Sequence, residues 1–180
     1  MNTTLRTNFF TYALAHWIRA LLPFVFLAGG LACAATLVNV QVYENSQVFP
    51  GESRFFMTAR DTDKAFLAQY PQMGWRRLTS FSAYAPVDAP INARPVCRIY
   101  LPTVATHFYT ALADECARFK TDALFVFEGT DFAAIPVEAN GCEAATSPVF
   151  RTYNNGASRG VTGNHFYPTN AGLADDLAAS

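Results

Sequence analysis

The chain is poor in the groups on which most protein chemistry depends. Only 15% of its 180 residues are charged, and three are histidine. No Lys/Arg cluster exceeds the pair Arg76-Arg77, so the basic patch that displaces counterions from phosphates is missing and nucleic acid is not an expected partner. The four cysteines contain no C-x-x-C, and the histidines are scattered singly. The short-spaced paired ligands of a zinc site are therefore absent, and no metal or other cofactor is expected. Serines such as Ser80 and Ser82 stand outside any G-x-S-x-G context. Carboxylate pairs such as Asp114-Glu115 and Asp175-Asp176 read as helix-face or cap residues rather than two acids facing one glycosidic bond. Without a convergent nucleophile, base and orienting group, no catalytic residue is assigned and the chain is not expected to be an enzyme.

Charge is missing altogether between Ala20 and Tyr43. Within that stretch, Leu21-Leu22-Pro23-Phe24-Val25-Phe26-Leu27-Ala28 forms an apolar run after Arg19, and Ala32-Cys33-Ala34 supplies small residues for a cut. Positive flank, apolar segment and A-x-A site follow the order of a secretory signal peptide, expected over residues 1–34. Two rivals are an uncleaved membrane anchor and lipidation at Cys33, although Gly30 stands where a lipobox has leucine. All three place the remainder outside the cytoplasm, with membrane contact only through this segment. The remaining 146 residues keep all 14 acidic but only 11 of the 13 basic side chains, a net charge of −3. A chain of that length can bury roughly two-thirds of its unfolded surface and fold alone. It retains Cys97, Cys116 and Cys142. Export favours disulfides. Cys97 and Cys116 fall in one structural unit, so a bridge between them is expected, leaving Cys142 odd.

What the chain does have is repetition. His107-Phe108-Tyr109-Thr110 returns as His165-Phe166-Tyr167-Pro168-Thr169, with a weaker copy at Arg54-Phe55-Phe56-Met57-Thr58. Each follows a tyrosine-bearing apolar run containing Tyr43, Tyr100 or Tyr153, and each precedes a helical pattern. Unit one spans about 42–85: strands near Tyr43 and Phe55–Thr58, a helix Asp61–Tyr70 with Thr58 or Asp61 as cap, Pro71 as its stop, then Gly74-Trp75 and a strand Leu78–Tyr84. Unit two, about 96–135, repeats the order with Phe125 for Trp75 and Phe132 for Phe81. Unit three, about 148–180, ends after its helix, without a final strand. The expected fold is α+β, with three β-β-α-β units in a pseudo-threefold arrangement; a β-trefoil or short propeller-like closure is the alternative. Phe55, Phe108 and Phe166 are expected to share a core. By strand alternation His107 and Tyr109 point to the opposite face, where a pocket would lie.

These segments resemble the extracellular bacterial repeat family catalogued as domain of unknown function 5648. The resemblance rests on Tyr153-Asn154-Asn155, His107–Thr110, His165–Thr169, Gly74-Trp75 and Glu128-Gly129, and covers about residues 42–180. It implies an extracellular or periplasmic, cell-surface module of a bacterium, found alone or appended to secreted hydrolases and without established catalytic residues. It further implies a closing segment after the third helix with a cysteine near its end, so that unit three here is cut short and Cys142 lacks its partner. Arg54 departs from the histidine usual at its position, and Pro168 interrupts the third copy.

The functional expectation is a secreted non-catalytic module binding cell-surface or extracellular polysaccharide or protein, or serving a secreted hydrolase. Candidate ligand-binding residues are His107, Tyr109, His165, Tyr167, Tyr100 and Tyr153, because aromatic rings stack on sugar faces while polar tips bond hydroxyls. The alternatives are a secreted hydrolase and a purely structural truncated domain without a ligand. In the structural alternative the same side chains satisfy the fold's own polar groups.

Overall fold

A computed structural model describes residues 35–49, 52–137, 141–156, 160 and 162–179; the expected export segment, residues 1–34, lies outside them. Elements follow in the order β1 (Leu37–Phe49), β2 (Glu52–Thr58), α1 (Asp61–Gln69), β3 (Arg76–Tyr84), then β4 (Arg94–Leu101), β5 (Thr106–Thr110), α2 (Ala113–Thr121), β6 (Val126–Ala134). A shorter series closes the chain: β7 (Thr152–Tyr153), β8 (His165–Phe166) and α3 (Ala171–Ala179). The protein is thus mixed α+β. Among these residues no helix is long and apolar enough to cross a membrane.

Helices α1 and α2 start from the same device. Thr58 Oγ1 accepts from the Arg60 N–H at 3.0 Å and Thr110 Oγ1 from the Leu112 N–H at 3.0 Å. Arg60 and Leu112 are the N-cap residues. The threonine therefore acts two residues ahead of the cap, not as the cap itself, which corrects the expectation for Thr58 or Asp61. Threonine hydroxyls bond nearby backbone in this way because the side chain is short. Helix α1 stops at Pro71, which opens a 3-10 turn over Pro71–Met73, and Gly74 follows at φ +79°. A side chain there is strained by the left-handed backbone, so glycine lets the chain reverse and present Trp75.

Six strands form one antiparallel sheet in the order β2-β1-β3-β6-β4-β5, with β7 and β8 as a separate ribbon. The sheet is two three-stranded leaves. β3 meets β6 through one register pair, Tyr84↔Ala133, while pairing within each leaf is extensive. Edge strands β2 and β5 are linked by a side chain instead of a ladder (described below). The sheet therefore remains open, and the closed barrel of the trefoil alternative does not form among the described residues.

Both faces of the β4–β5 hairpin are buried, for different reasons. Cys97, Ile99 and Phe108 lie on one face under α2, joined by Cys116 and flanked by Phe119 and Phe125. The expected Cys97–Cys116 disulfide is present, with Cα atoms 5.9 Å apart, and Cys142 is free and exposed. The other cluster combines Val40, Val42, Met57, Ala83, Val96, Tyr109, Phe132 and Tyr167. Phe81 and Phe132, matched in the sequence, meet edge to face at 6.1 Å across the two leaves. The three phenylalanines expected to share a core separate: Phe55 packs on Phe166 at 4.3 Å, whereas Phe108 belongs to the disulfide cluster. Arg54 is buried, with its Nε donating to the Val104 carbonyl at 3.1 Å and its Nη2 paired to Glu52 at 2.9 Å.

The disulfide closes a 19-residue separation. Replacing both cysteines by serine is expected to lower the unfolding free energy by about 3 kcal/mol, measured by urea denaturation under non-reducing conditions.

Candidate functional site

Two tyrosine hydroxyls hold neighbouring β-hairpins side by side. Tyr109 Oη accepts from the Met57 N–H at 2.7 Å and donates to the Met57 carbonyl at 2.8 Å. Tyr167 Oη does the same to Tyr109, accepting from its N–H at 2.7 Å and donating to its carbonyl at 3.1 Å. A phenol both donates and accepts, so one side chain satisfies both backbone groups of a residue on a strand edge. The two rings lie edge to face, 5.3 Å apart. Burial pushes both hydroxyls up, Tyr109 well above the ordinary tyrosine value, so they remain protonated donors. The pattern aligns Met57, Tyr109 and Tyr167, rather than setting Phe56 against the two tyrosines.

Beside the first clasp lies a buried charge cluster. Arg98 is 5% exposed. Its Nη1 reaches Asp63 Oδ2 at 2.7 Å and Asp131 Oδ2 at 2.8 Å, and its Nε stands 2.9 Å from Glu128 Oε2. Arg60 pairs with Asp131 Oδ1 at 2.6 Å. His107 Nε2 lies 3.2 Å from Glu128 Oε2. Thr58 Oγ1 stands 2.8 Å from Asp63 and 3.0 Å from Asp131 and shares its one proton between them. Backbone geometry delivers these groups. The register of β4 on β6 shifts between Arg98↔Gly129 and Ile99↔Phe127, which leaves Glu128 out of the ladder; such bulges re-aim a side chain. Gly129 has φ +107°, and a Cβ there would stand 2.8 Å from Arg60 Nη2, which donates to the Glu128 carbonyl.

Electrostatics favour the charged forms of Asp63, Glu128 and Arg98. Burial pushes the Asp63 carboxyl up, but hydrogen bonds from Arg98 and Thr58 and the nearby guanidinium charges outweigh it, leaving it below the usual range. Burial likewise raises Glu128, and the His107 hydrogen bond together with His107, Arg98 and Arg60 brings it below the usual range. Arg98, itself disfavoured by burial, is held charged by Asp63 and Asp131.

A second junction repeats the chemistry with different residues. Glu115 takes the place of Asp63: it meets Thr110 at 2.6 Å and Arg151 at 2.7 and 3.0 Å. Arg98 lies 5.1 Å from the Phe56 ring centre and Arg151 5.1 Å from that of Phe108. His107 meets Phe56 edge-on at 4.8 Å, and His165 meets Phe108 at 5.0 Å. Tyr100 packs on His107 and Tyr153 on His165, each at 4.9 Å. Burial, with the Arg151 charge, lowers His165 to about 4, so it is neutral at neutral pH.

The junctions differ in one respect. At the first, a cleft of about 180 Å³ opens, lined by Phe56, Asp63, Phe66, Leu67, Met73, Trp75 and His107. At the second, counting from Glu115, Phe119 replaces Leu67 and packs against Phe108 at 4.9 Å and Phe125 at 4.6 Å. The larger ring fills the space.

The six residues singled out from the sequence therefore divide. His107 lines the cleft, and Tyr100 supports it. Tyr153 and His165 pair at the filled junction. Tyr109 and Tyr167 are interior, 3% and 5% exposed, with their hydroxyls committed to backbone; they offer a ligand no surface. Sequence reasoning missed Asp63, Arg98, Glu128, Asp131 and the cleft wall at Phe66 and Trp75. One signal was available: a lone arginine between Val96-Cys97 and Ile99 must find carboxylates if that strand is buried.

Comparison with known proteins gives a single positive result: the family model described as Domain of unknown function (DUF5648) matches residues 42–180. No curated protein and no solved structure matches.

Removing one partner of a buried ion cluster strands the others, so Asp131→Ala is expected to cost about 3–5 kcal/mol in urea unfolding. Asp63 and Glu128 have depressed folded values. Their contribution is therefore present above the unfolded carboxylate value of about 4 and is lost as pH falls through the lower folded values. An Asp63→Asn/Glu128→Gln double variant should show a shallower loss of stability below about pH 5 than the parent, read from unfolding curves across pH.

Proposed function

The chain belongs to the DUF5648 family, and from the cleft that this member carries we propose that it is an exported, non-catalytic module binding a cell-surface or extracellular polysaccharide or protein. The observation that carries this reading is the cleft itself. Three aromatic side chains, Phe56, Phe66 and Trp75, wall an open space whose polar end is Asp63 and His107. A concave apolar surface with a few placed polar groups is the general form of a ligand site.

The non-catalytic part of the proposal rests on protonation. A glycosidase acid must keep its proton near neutrality, whereas Asp63 and Glu128 are both held below the usual carboxylate range. Their role in this reading is to neutralise Arg98 and fix the cleft wall. The scaffold is, in the same proposal, three units about an approximate threefold axis. Support comes from a recurring ring pair at each junction: Phe56–His107, Phe108–His165 and Phe166–Phe55.

Trp75 is the tryptophan to follow, since Trp17 falls in the expected export segment. In a Trp17→Phe background, a surface polysaccharide or extracellular protein that binds the cleft should change Trp75 emission. Trp75→Ala should weaken that binding about tenfold or more, as expected for truncating an aromatic anchor. Screening the protein on glycan arrays and on purified extracellular protein fractions checks this; no retention on either removes the reading.

A further inference from the structure

Resting on the reading of the cleft as a ligand site, we propose that the group it receives is an alkylammonium cation of the trimethylammonium type. Cations of this kind carry no N–H and are recognised by aromatic faces together with negative charge. The cleft supplies both. Phe56 and Trp75 stand 5.9 Å apart with planes inclined by 59°, so they form a corner instead of a stack. Phe66 adds a third ring and Asp63 a carboxylate.

The charge balance of the wall favours a cation. Three carboxylates (Asp63, Glu128, Asp131) face two guanidinium groups (Arg60, Arg98) in one connected cluster. Counted over these five groups, the carboxylates exceed the guanidinium groups by one. Arg98 meets all three carboxylates, two through Nη1 and one through Nε, so its charge is already compensated within the wall.

Hydrogen-bond supply argues the same way. A bare sugar ring needs several partners for its hydroxyls, and besides the Trp75 indole N–H the cleft has two polar side chains. Asp63 Oδ2 is already shared by Arg98 and Thr58, and His107 Nε2 faces Glu128. An alkylammonium group asks for no hydrogen bond. It needs ring faces and uncompensated negative charge, which is what remains. The filled junction offers an internal parallel: Arg118, three residues after Glu115 as Phe66 is three after Asp63, lies with its guanidinium 5.1 Å from the Phe119 ring centre.

The test titrates the full chain carrying Trp17→Phe with choline, tetramethylammonium, the uncharged isostere 3,3-dimethylbutan-1-ol, and neutral mono- and oligosaccharides, following Trp75 emission and calorimetry. Both cations should bind, and the alcohol at least tenfold more weakly. Asp63→Asn should weaken choline binding about tenfold. Because Asp63 also supports the fold, Phe66→Leu provides the second variant. Phe66 is half exposed, so its loss should reduce choline binding while leaving the urea midpoint unchanged. Retention on a choline-substituted polysaccharide or on phosphatidylcholine vesicles then assigns the natural carrier of the group. Equal binding of alcohol and choline overturns the inference. Saccharide binding without choline binding overturns it too, while leaving the binding-module reading intact; no binding of any probe removes both.

Discussion

A guanidinium withdrawn from water organises this protein. Arg98 sits mid-strand in β4, and the several kcal/mol that an unpaired buried charge costs obliges three carboxylates to converge on it. One comes from helix α1, one from a bulge in β6 and one from the strand itself. Meeting that demand sets where α1 lies against the second hairpin, why Gly129 must lack a side chain beside Arg60, and why Asp63 ends at the mouth of the cleft. The cluster is better understood as a locator than as a source of net stability, since buried ion pairs often only offset their own desolvation.

Much of the scaffold was legible because it is written in local pattern. The strands around Tyr43, Phe56, Ile99 and Phe108 and helices α1 and α2 lie close to where periodicity and punctuation put them, and Pro71 and Gly74 act as stop and reversal. The Cys97–Cys116 pair followed from both residues belonging to one unit. What was not legible is what lies on each side of a strand. Alternation correctly set Tyr109 against Phe108, but it cannot say that both faces are covered. Tyr109 and Tyr167 thus looked like pocket residues and proved to be interior clasps. The cleft was hidden for a similar reason. It depends on Leu67 being smaller than Phe119 at matched positions, a difference in volume that no motif records.

The two junctions also show how one chemistry serves different ends. Threonine, helix carboxylate, arginine, phenylalanine and histidine recur in the same relation at both. Where Phe119 fills the space, the set is structural. Where Leu67 leaves it open, the same set becomes the wall of a concavity, and His107 joins its lining.

The thin joint between the leaves has a consequence for how mutable the architecture is. Backbone ladders tolerate almost any side chain, because their bonds belong to the peptide. Here the two leaves share a single ladder pair, and their association rests on side chains: the Tyr109 phenol, the guanidinium groups of Arg54, Arg60 and Arg98, the Thr58 hydroxyl and the Phe81–Phe132 pair. Cohesion between units is therefore encoded in a handful of codons, while cohesion within each unit is spread over the whole strand. The joint between the leaves is therefore open to change through few substitutions, whereas each leaf is not.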